Sequence, residues 1–290
     1  MHAETFKLII EASMILLVLG IGLQSSLSDL SHMLTRPGLF VRGMIAVNLV
    51  VPLTAVLLCL IFPLAPPTRA GIIVMAVSPL CPLVLSKMLK TGADRAYVIG
   101  LYVALILAST LLVPLTVELL ALGLGRDFDA PIAEIAILLA TTVLLPLAVG
   151  ILVASRWPKQ AMRAVPAVTT IAYVLFLPLV VLLLYRSGAE MLALIGNGTL
   201  LVIVLTIGSG FAAGHVLGGP KPQYRFALAQ AAATRHPAIA GLIAGANFED
   251  REVMLSVFLF LFVGVLLSAI YGRWLKRSIK STPDPATTTA

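Results

Sequence analysis

An arginine, a histidine and a proline lie side by side in the middle of a long apolar stretch of the chain. The run Thr234-Arg235-His236-Pro237 lies within "AQAAATRHPAIAGLIAGANF", whose other residues are mostly small or apolar. A guanidinium donates hydrogen bonds to anions or carbonyls, and an imidazole titrates near neutral pH. A proline leaves nearby backbone carbonyls without a donor, and a threonine adds a hydroxyl group. The run therefore predicts a site for an anion, a cation or a proton in an apolar environment.

A second apolar stretch is interrupted in a similar way. The segment "AVSPLCPLVLSKML" contains Pro79 and Pro82, with Cys81 between them and the hydroxyl group of Ser78 directly before them. Lys87 follows within a few residues. Its ammonium either belongs to the site or extends to water at the membrane surface. Broken helices expose unpaired carbonyls and partial charges that hold ions or charged groups.

The composition indicates what surrounds these residues. Hydrophobic residues make up 60% of the 290 residues, charged residues 11%, and the mean hydropathy is +1.06. About a quarter of a soluble protein is charged, so the chain is predicted to be a polytopic membrane protein whose partner is the lipid bilayer. The net charge is +7, but the basic residues lie between the apolar runs and not on one basic face. This distribution argues against a nucleic-acid partner. We find no catalytic motif and no metal-ligand spacing, so neither an enzyme nor a cofactor is predicted.

Nine apolar runs are long enough to cross a bilayer. Only helices satisfy their own backbone hydrogen bonds in lipid, so the sequence predicts an all-α membrane protein with nine transmembrane helices. One domain covers 1–276, and the Pro/Thr-rich end, 277–290, is predicted to be a disordered cytoplasmic tail. The predicted spans are 6–25, 38–62, 70–90, 95–122, 131–154, 164–185, 197–218, 223–246 and 251–272.

The basic residues predict the orientation. If the N-terminus lies outside, most of the 20 lysines and arginines fall in cytoplasmic segments, as the positive-inside rule requires. The C-terminus is then cytoplasmic, and the chain is expected in the plasma (inner) membrane as a monomer or homodimer.

The spans also suggest an inverted repeat. The quartets at about 6–122 and 164–272 have opposite topology, and the third span of each is interrupted by proline. Matched broken helices in inverted halves are typical of a transporter site near the bilayer midplane. Asn48 and Tyr102 are further polar residues at membrane depth, which either line this site or bond a neighbouring helix.

Three roles for Arg235 follow from its place in the sequence. Burying the charge at mid-bilayer costs about 2.5–3.5 kcal/mol on insertion scales. The arginine can serve as a fixed charge for carbonyls or helix C-terminal ends at the broken helices, or bind an anionic substrate headgroup directly. As a purely structural group it would form a buried ion pair, with Glu11 or Glu118 as possible partners, or cap a helix end with no role in transport. For His236 the alternatives are proton coupling and a hydrogen bond to a neighbouring carbonyl.

Three segments resemble the bile acid:sodium symporter family. They are "ILLVLGIGLQSSLSDLSHMLTRPGLFVRG", "SPLCPLVLSKMLKTGADRAYVIGLYVALILASTLLVPLT" and "RHPAIAGLIAGANF". The resemblance implies a panel domain and a core domain, with two broken helices crossing in the core. It also implies sodium as a transported ion.

The sodium ligands expected from the resemblance are missing. Sodium-coupled members carry a "P-G-G-T-A-S-N"-like run after the first crossing, and a glutamate and an amide run on the second. Here the first run is Pro79-Leu80-Cys81-Pro82-Leu83-Val84-Leu85. Ala231 lies at the glutamate position, and Arg235-His236-Pro237 replaces the amide run. Hard cations need several oxygen ligands, so we predict transport that does not need sodium.

The predicted function is secondary transport of a small organic anion, a carboxylate or a sterol-like compound, by alternating access. One alternative is arsenite-type metalloid efflux, since arsenite exporters share this general architecture and use a cysteine near the first crossing, where Cys81 lies. A soft thiolate suits such a ligand. An alternative of another class is a membrane receptor or sensor.

Overall fold

The structure, a computed structural model, describes residues 3–89, 93–124 and 132–280, and over these ranges it is helical without a named strand. The helices are α1 (Ala3–Gly22), α2 (Leu27–Leu34), α3 (Pro37–Met44), α4 (Val51–Ile61), α5 (Pro66–Val77), α6 (Leu83–Leu89), α7 (Arg95–Leu124), α8 (Ile132–Leu139), α9 (Leu145–Arg156), α10 (Pro158–Ala193), α11 (Thr199–Leu217), α12 (Pro222–Ala233), α13 (Pro237–Asn247) and α14 (Arg251–Lys280), with π-helical turns at Ile45–Val50 and Ala140–Leu144.

The chain has the apolar helices of a multi-pass membrane protein. Among the described residues, six helical segments are long and apolar enough to cross a membrane: Pro37–Ile61, Arg95–Thr116, Ala136–Arg156, Pro158–Ala193, Thr199–Leu217 and Arg251–Leu275. A seventh is Leu8–Gly22 together with Leu27–Met33, if this pair, bent by 80°, counts as one span. The all-helical membrane fold is therefore confirmed, whereas the count of nine spans and the inverted repeat stay predictions.

The predicted tail lies mostly outside the described residues. Residues 281–290 are not among them, and residues 277–280 belong to the end of α14. The predicted fifth span corresponds to α8, the π-helical turn Ala140–Leu144 and α9.

Three apolar helices form the first of two packing groups. Helix α1 packs against both α9 and α10. Gly22 and Gly150 face each other where α1 crosses α9, and a Cβ atom at Gly22 would lie 2.8 Å from the Cα of Gly150. Small residues at such a crossing let two backbones approach closely, so α1, α9 and α10 form a tightly packed group, here called the three-helix group.

The second packing group contains the interrupted helices. Helix α5 packs against α14, and α11 packs against α12 and α4. A Cβ atom at Gly71 of α5 would lie 2.5 Å from the carbonyl oxygen of Val253 in α14, so this crossing is also close. The hydroxyl of Thr68 donates a 2.5 Å hydrogen bond to Glu252, which joins the first turns of α5 and α14.

Prolines define both helix breaks. The residue before a proline is disfavoured in the α region, and Ser78, before Pro79, is extended with φ −62° and ψ 153°, so α5 ends at Val77. In the second break, α12 ends at Ala233, and His236 is extended before Pro237. A proline is tolerated in the first turn of a helix, so α13 begins at Pro237 itself.

Candidate functional site

The two helix breaks contact each other through their backbones. Leu80 and Arg235 form an isolated antiparallel β-bridge. The backbone N–H of His236 donates to the carbonyl of Pro79 at 2.8 Å. The segments that link α5 to α6 and α12 to α13 therefore cross in the core of the second packing group, where the C-terminal ends of α5 and α12 meet the N-terminal ends of α6 and α13.

The side chain of Arg235 lies inside this crossing and is 2% exposed. Its guanidinium donates to the carbonyl oxygen of Val47 at 2.6 Å and to that of Ser78 at 3.3 Å. Ser78 caps the C-terminal end of α5, where the helix carries partial negative charge. The guanidinium thus neutralises a helix end and links the second break to the first break and to the segment before α4.

Both carbonyls that accept from Arg235 lack a helical donor, for different reasons. In a π-helix a carbonyl pairs with the N–H five residues later, and five residues after Val47, in the turn Ile45–Val50, comes Pro52, which has no N–H. Ser78 is the extended C-cap residue of α5, so its carbonyl lies beyond the end of that helix. Arg235 supplies a donor to each of the two carbonyls.

The serine hydroxyl compensates for the first proline of the first break. Pro79 has no N–H for the carbonyl of Met75, and the Oγ of Ser78 donates to that carbonyl at 2.7 Å. The hydroxyl of Ser78, a predicted ligand-binding group, is therefore engaged with the backbone of its own helix.

The histidine of the second break caps α13. His236 is the N-cap residue, and its Nδ1 accepts from the backbone N–H of Ile239 at 3.4 Å. The side chain is 2% exposed, and its Nε2 is buried without a hydrogen-bond partner among the described residues. The hydrogen bond that the structure shows for this imidazole is local, but its partner is a backbone N–H and not the carbonyl that the sequence led us to expect.

A cavity of about 310 Å³ adjoins the crossing. It lies between the three-helix group and the second packing group, since α10 forms one wall and α6, α14 and the end of α12 form others. Four of the predicted site residues line it, namely Cys81, Lys87, Thr234 and Arg235. The other lining residues are predominantly apolar: Met75, Leu83, Val84, Tyr173, Phe176, Leu177, Val180, Ala233, Phe260, Leu261, Phe262, Gly264, Val265 and Ser268.

A short polar chain lies at the edge of this cavity. The ammonium of Lys87 donates to the Oγ of Ser268 at 3.3 Å. The same Oγ donates to Oε1 of Gln230 at 2.5 Å, and Nε2 of Gln230 donates to the carbonyl of Ser268 at 3.2 Å. Gln230 and Ser268 are 1% and 4% exposed, so two buried neutral groups orient the ammonium.

Besides Ser78 and His236, two more of the predicted polar residues do not line the cavity. The amide of Asn48 donates to the sulfur of Met44 at 3.6 Å, within the segment that supplies Val47. Tyr102 is fully buried in α7, and its hydroxyl has no hydrogen-bond partner among the described residues. The three prolines Pro79, Pro82 and Pro237 are buried in the breaks themselves.

Three contributors to the site were missed by the sequence analysis. Val47 contributes only its backbone carbonyl, which the type of its side chain does not reveal. Pro52, five residues later, indicated that this carbonyl could lack a helical donor. Gln230 and Ser268 belong to α12 and α14. A glutamine and a serine in apolar spans were a signal for a polar contact at membrane depth, but the sequence does not show that they meet.

The described residues offer no candidate metal centre, because no group of three histidine, cysteine, aspartate or glutamate side chains converges in this part of the chain. Both cysteines, Cys59 and Cys81, are buried and unpaired with each other. Cys81 alone lines the cavity.

An ion pair joins the two packing groups away from the crossing. Arg251, the first residue of α14, contacts Glu190 of α10 at 3.0 Å. Both side chains are substantially exposed, so the pair contributes little stability.

Comparison with known families matches residues 12–194, more than half of the chain, to the Sodium Bile acid symporter family. The matched part includes the first break and ends before α11, so the second break lies beyond it. A comparison with curated proteins finds no match.

Proposed function

This chain belongs to the Sodium Bile acid symporter family, which is a family of membrane transporters, and we propose that it transports a small organic anion without coupling to sodium. The observation that carries this proposal is the pair of hydrogen bonds from Arg235 to the carbonyls of Val47 and Ser78. Carbonyl oxygens at the ends of broken helices are the groups that hold a coupling ion in other secondary transporters. Here a covalently attached cation occupies them.

Electrostatics argues against a sodium ion at the same place. A cation close to the guanidinium would be repelled by a full charge in a region of low dielectric constant. The hard-cation preference for several oxygen ligands is also unmet, since Ala231 and Pro237 offer no side-chain oxygen. These contacts favour a fixed charge over a direct substrate ligand as the role of Arg235.

We propose a nine-span arrangement in which α5–α6 and α12–α13 each count as one broken span. The two broken spans then occupy matching places in two inverted quartets, as in other transporters. The three-helix group would be the panel, and the second packing group would be the core that moves against it. The placement of basic residues supports a cytoplasmic C-terminus in the plasma (inner) membrane.

The charge and size of the cavity support a compact anionic substrate. The charged residues among its lining are Lys87 and Arg235, both positive. Its volume of about 310 Å³ lies at the low end of the range of about 300–1,000 Å³ for small-molecule pockets. This favours a small carboxylate over a sterol-sized one.

The proposal is tested with purified protein in sealed vesicles. Counterflow of a panel of radiolabelled carboxylates is measured in sodium, potassium and choline buffers of equal ionic strength. We expect at least one carboxylate to exchange at equal rates in all three buffers. A strict requirement for sodium would contradict the proposed role of Arg235, and absence of counterflow for every member of the panel would favour the receptor alternative.

A further inference from the structure

We propose that Lys87 and Ser268 form the headgroup subsite of the cavity, and that this subsite takes the carboxylate of a compact amphipathic anion. The inference rests on the proposed transport function and goes further, because it assigns the two ends of the substrate to two different walls of the cavity. It also moves direct recognition of the charge away from Arg235.

Arg235 is poorly placed to meet a substrate, although it lines the cavity. Its two terminal nitrogens donate to Val47 and Ser78, and the side chain is 2% exposed. Its Nε is buried without a partner among the described residues. Little of the guanidinium is open to a ligand, and a ligand that bound it would compete with the backbone contacts that hold the crossing together.

Lys87 is the second positive side chain of the cavity, and it is exposed. An ammonium has three N–H donors, and within the described ranges Ser268 is the one acceptor that the structure shows for it. The ammonium is therefore held at the cavity wall with donor capacity for an anion. Hydrogen bonds between an ammonium and a carboxylate are charge-assisted and about twice as strong as neutral ones.

The buried partners of Lys87 orient it and do not neutralise it. Ser268 accepts from the ammonium and donates to Gln230. The amide of Gln230 returns a hydrogen bond to the carbonyl of Ser268. Both groups are neutral, so the positive charge of Lys87 stays available for a ligand.

The remaining walls of the cavity fit an apolar body. Tyr173, Phe176, Leu177 and Val180 approach from α10, and Phe260, Leu261, Phe262 and Val265 approach from α14. A ligand with its carboxylate at Lys87 would place its apolar part against α10, so it would contact both packing groups at once. This is the geometry of a pocket with a few polar groups that fix orientation.

The test compares a charged probe with a neutral one of the same shape. Binding of radiolabelled 4-phenylbutanoate and 4-phenylbutanamide is measured on the full chain in phosphatidylcholine nanodiscs, with empty nanodiscs subtracted. The variants are Lys87→Gln, Lys87→Arg and Ser268→Ala. Lys221→Gln is the matched control, because Lys221 lies at the N-cap of α12 and does not line the cavity.

We expect Lys87→Gln to weaken 4-phenylbutanoate binding at least tenfold and to leave 4-phenylbutanamide binding within twofold. Lys87→Arg should keep carboxylate binding within about threefold, Ser268→Ala should lose about threefold, and Lys221→Gln should match the parent chain. Equal losses for both probes, unchanged carboxylate binding in Lys87→Gln, or no binding of 4-phenylbutanoate by the parent chain would each overturn the assignment.

This result is independent of the transport result. If Lys87→Gln abolishes the preference for the carboxylate while the parent chain shows no counterflow, the subsite stands and the transport proposal fails. If counterflow without sodium is present but Lys87→Gln leaves the probe preference intact, the transport proposal stands and the subsite fails. Thermal unfolding of each variant is recorded, and the Ser268→Ala and Lys87→Arg results decide the question if Lys87→Gln does not fold.

Discussion

The two helix breaks have similar backbone forms but opposite chemical roles. The first break, between α5 and α6, contributes acceptors, the carbonyls of Ser78 and Pro79. The second, between α12 and α13, contributes donors, the guanidinium of Arg235 and the backbone N–H of His236. The carbonyls of the first break therefore receive donors from the second break, and the break that carries the charge lies beyond the family match.

This difference shows how a broken helix is stabilised in lipid. Prolines remove backbone N–H donors. A buried carbonyl that loses its donor destabilises the fold unless another group donates to it. Ser78 provides a hydroxyl for the carbonyl of Met75, and Arg235 provides its guanidinium for two more. These three carbonyls accept hydrogen bonds from two side chains.

The largest effect on the hydrogen bonds between the two breaks is expected from Arg235→Ala. It leaves the carbonyls of Val47 and Ser78 without their donor. A hydrogen bond to a charged group contributes about 1.5–3 kcal/mol, and about 1.4 kcal/mol is a factor of ten. We expect a variant that still inserts but whose carboxylate counterflow falls at least about tenfold.

Arg235→Lys is the control for this substitution. It keeps the charge but loses the fork that reaches two carbonyls at once, so we expect an intermediate rate. Counterflow in Arg235→Ala that equals the parent rate, measured per inserted molecule, would show that the arginine is only a structural group.

Restoring the missing backbone donor of Val47 should have a smaller effect. Pro52→Ala returns an N–H that can compete with Arg235 for the carbonyl of Val47, so we expect counterflow to fall about threefold, on the scale of a neutral hydrogen bond of about 0.5–1.5 kcal/mol. Pro178→Ala, at an exposed proline of α10, should leave the rate unchanged. Equal counterflow rates in both variants would show that Pro52 does not affect the role of the arginine.

The smallest effect is expected for Cys81→Ser, which also tests the metalloid alternative. Cys81 lines the cavity, but the other cysteine, Cys59, lies in α4 and does not. A single buried cysteine behaves as a small hydrophobic residue. We expect counterflow within twofold of the parent, and unchanged arsenite tolerance of cells that express the variant. Loss of arsenite tolerance would favour metalloid efflux.

The membrane fold, the family and the positions of the breaks could be predicted from the sequence. Apolar run length indicates membrane helices, and the prolines at 79, 82 and 237 mark the ends of helices through local sterics. The burial of Arg235 next to the first break was also expected, because lipid leaves a charge in mid-span few alternatives.

The partners of the site residues could not be predicted in the same way. Val47 contributes a backbone atom, and every residue has such an atom, so only the π-helical turn distinguishes it. Lys87 had two possible directions, and only the packing of α6 against its neighbours places its ammonium at Ser268 of α14. Side-chain direction depends on helix rotation and tilt, which neighbouring helices determine.

The positive charge at the crossing has a consequence for energetics, because it is bonded to the polypeptide. A bound sodium ion dissociates on one side of a membrane and is replaced on the other, and so it transfers the free energy of its own gradient to a solute. The guanidinium of Arg235 cannot leave. A carrier built around it would be equilibrative at this position: it would let its solute flow down the solute's own electrochemical gradient, in either direction.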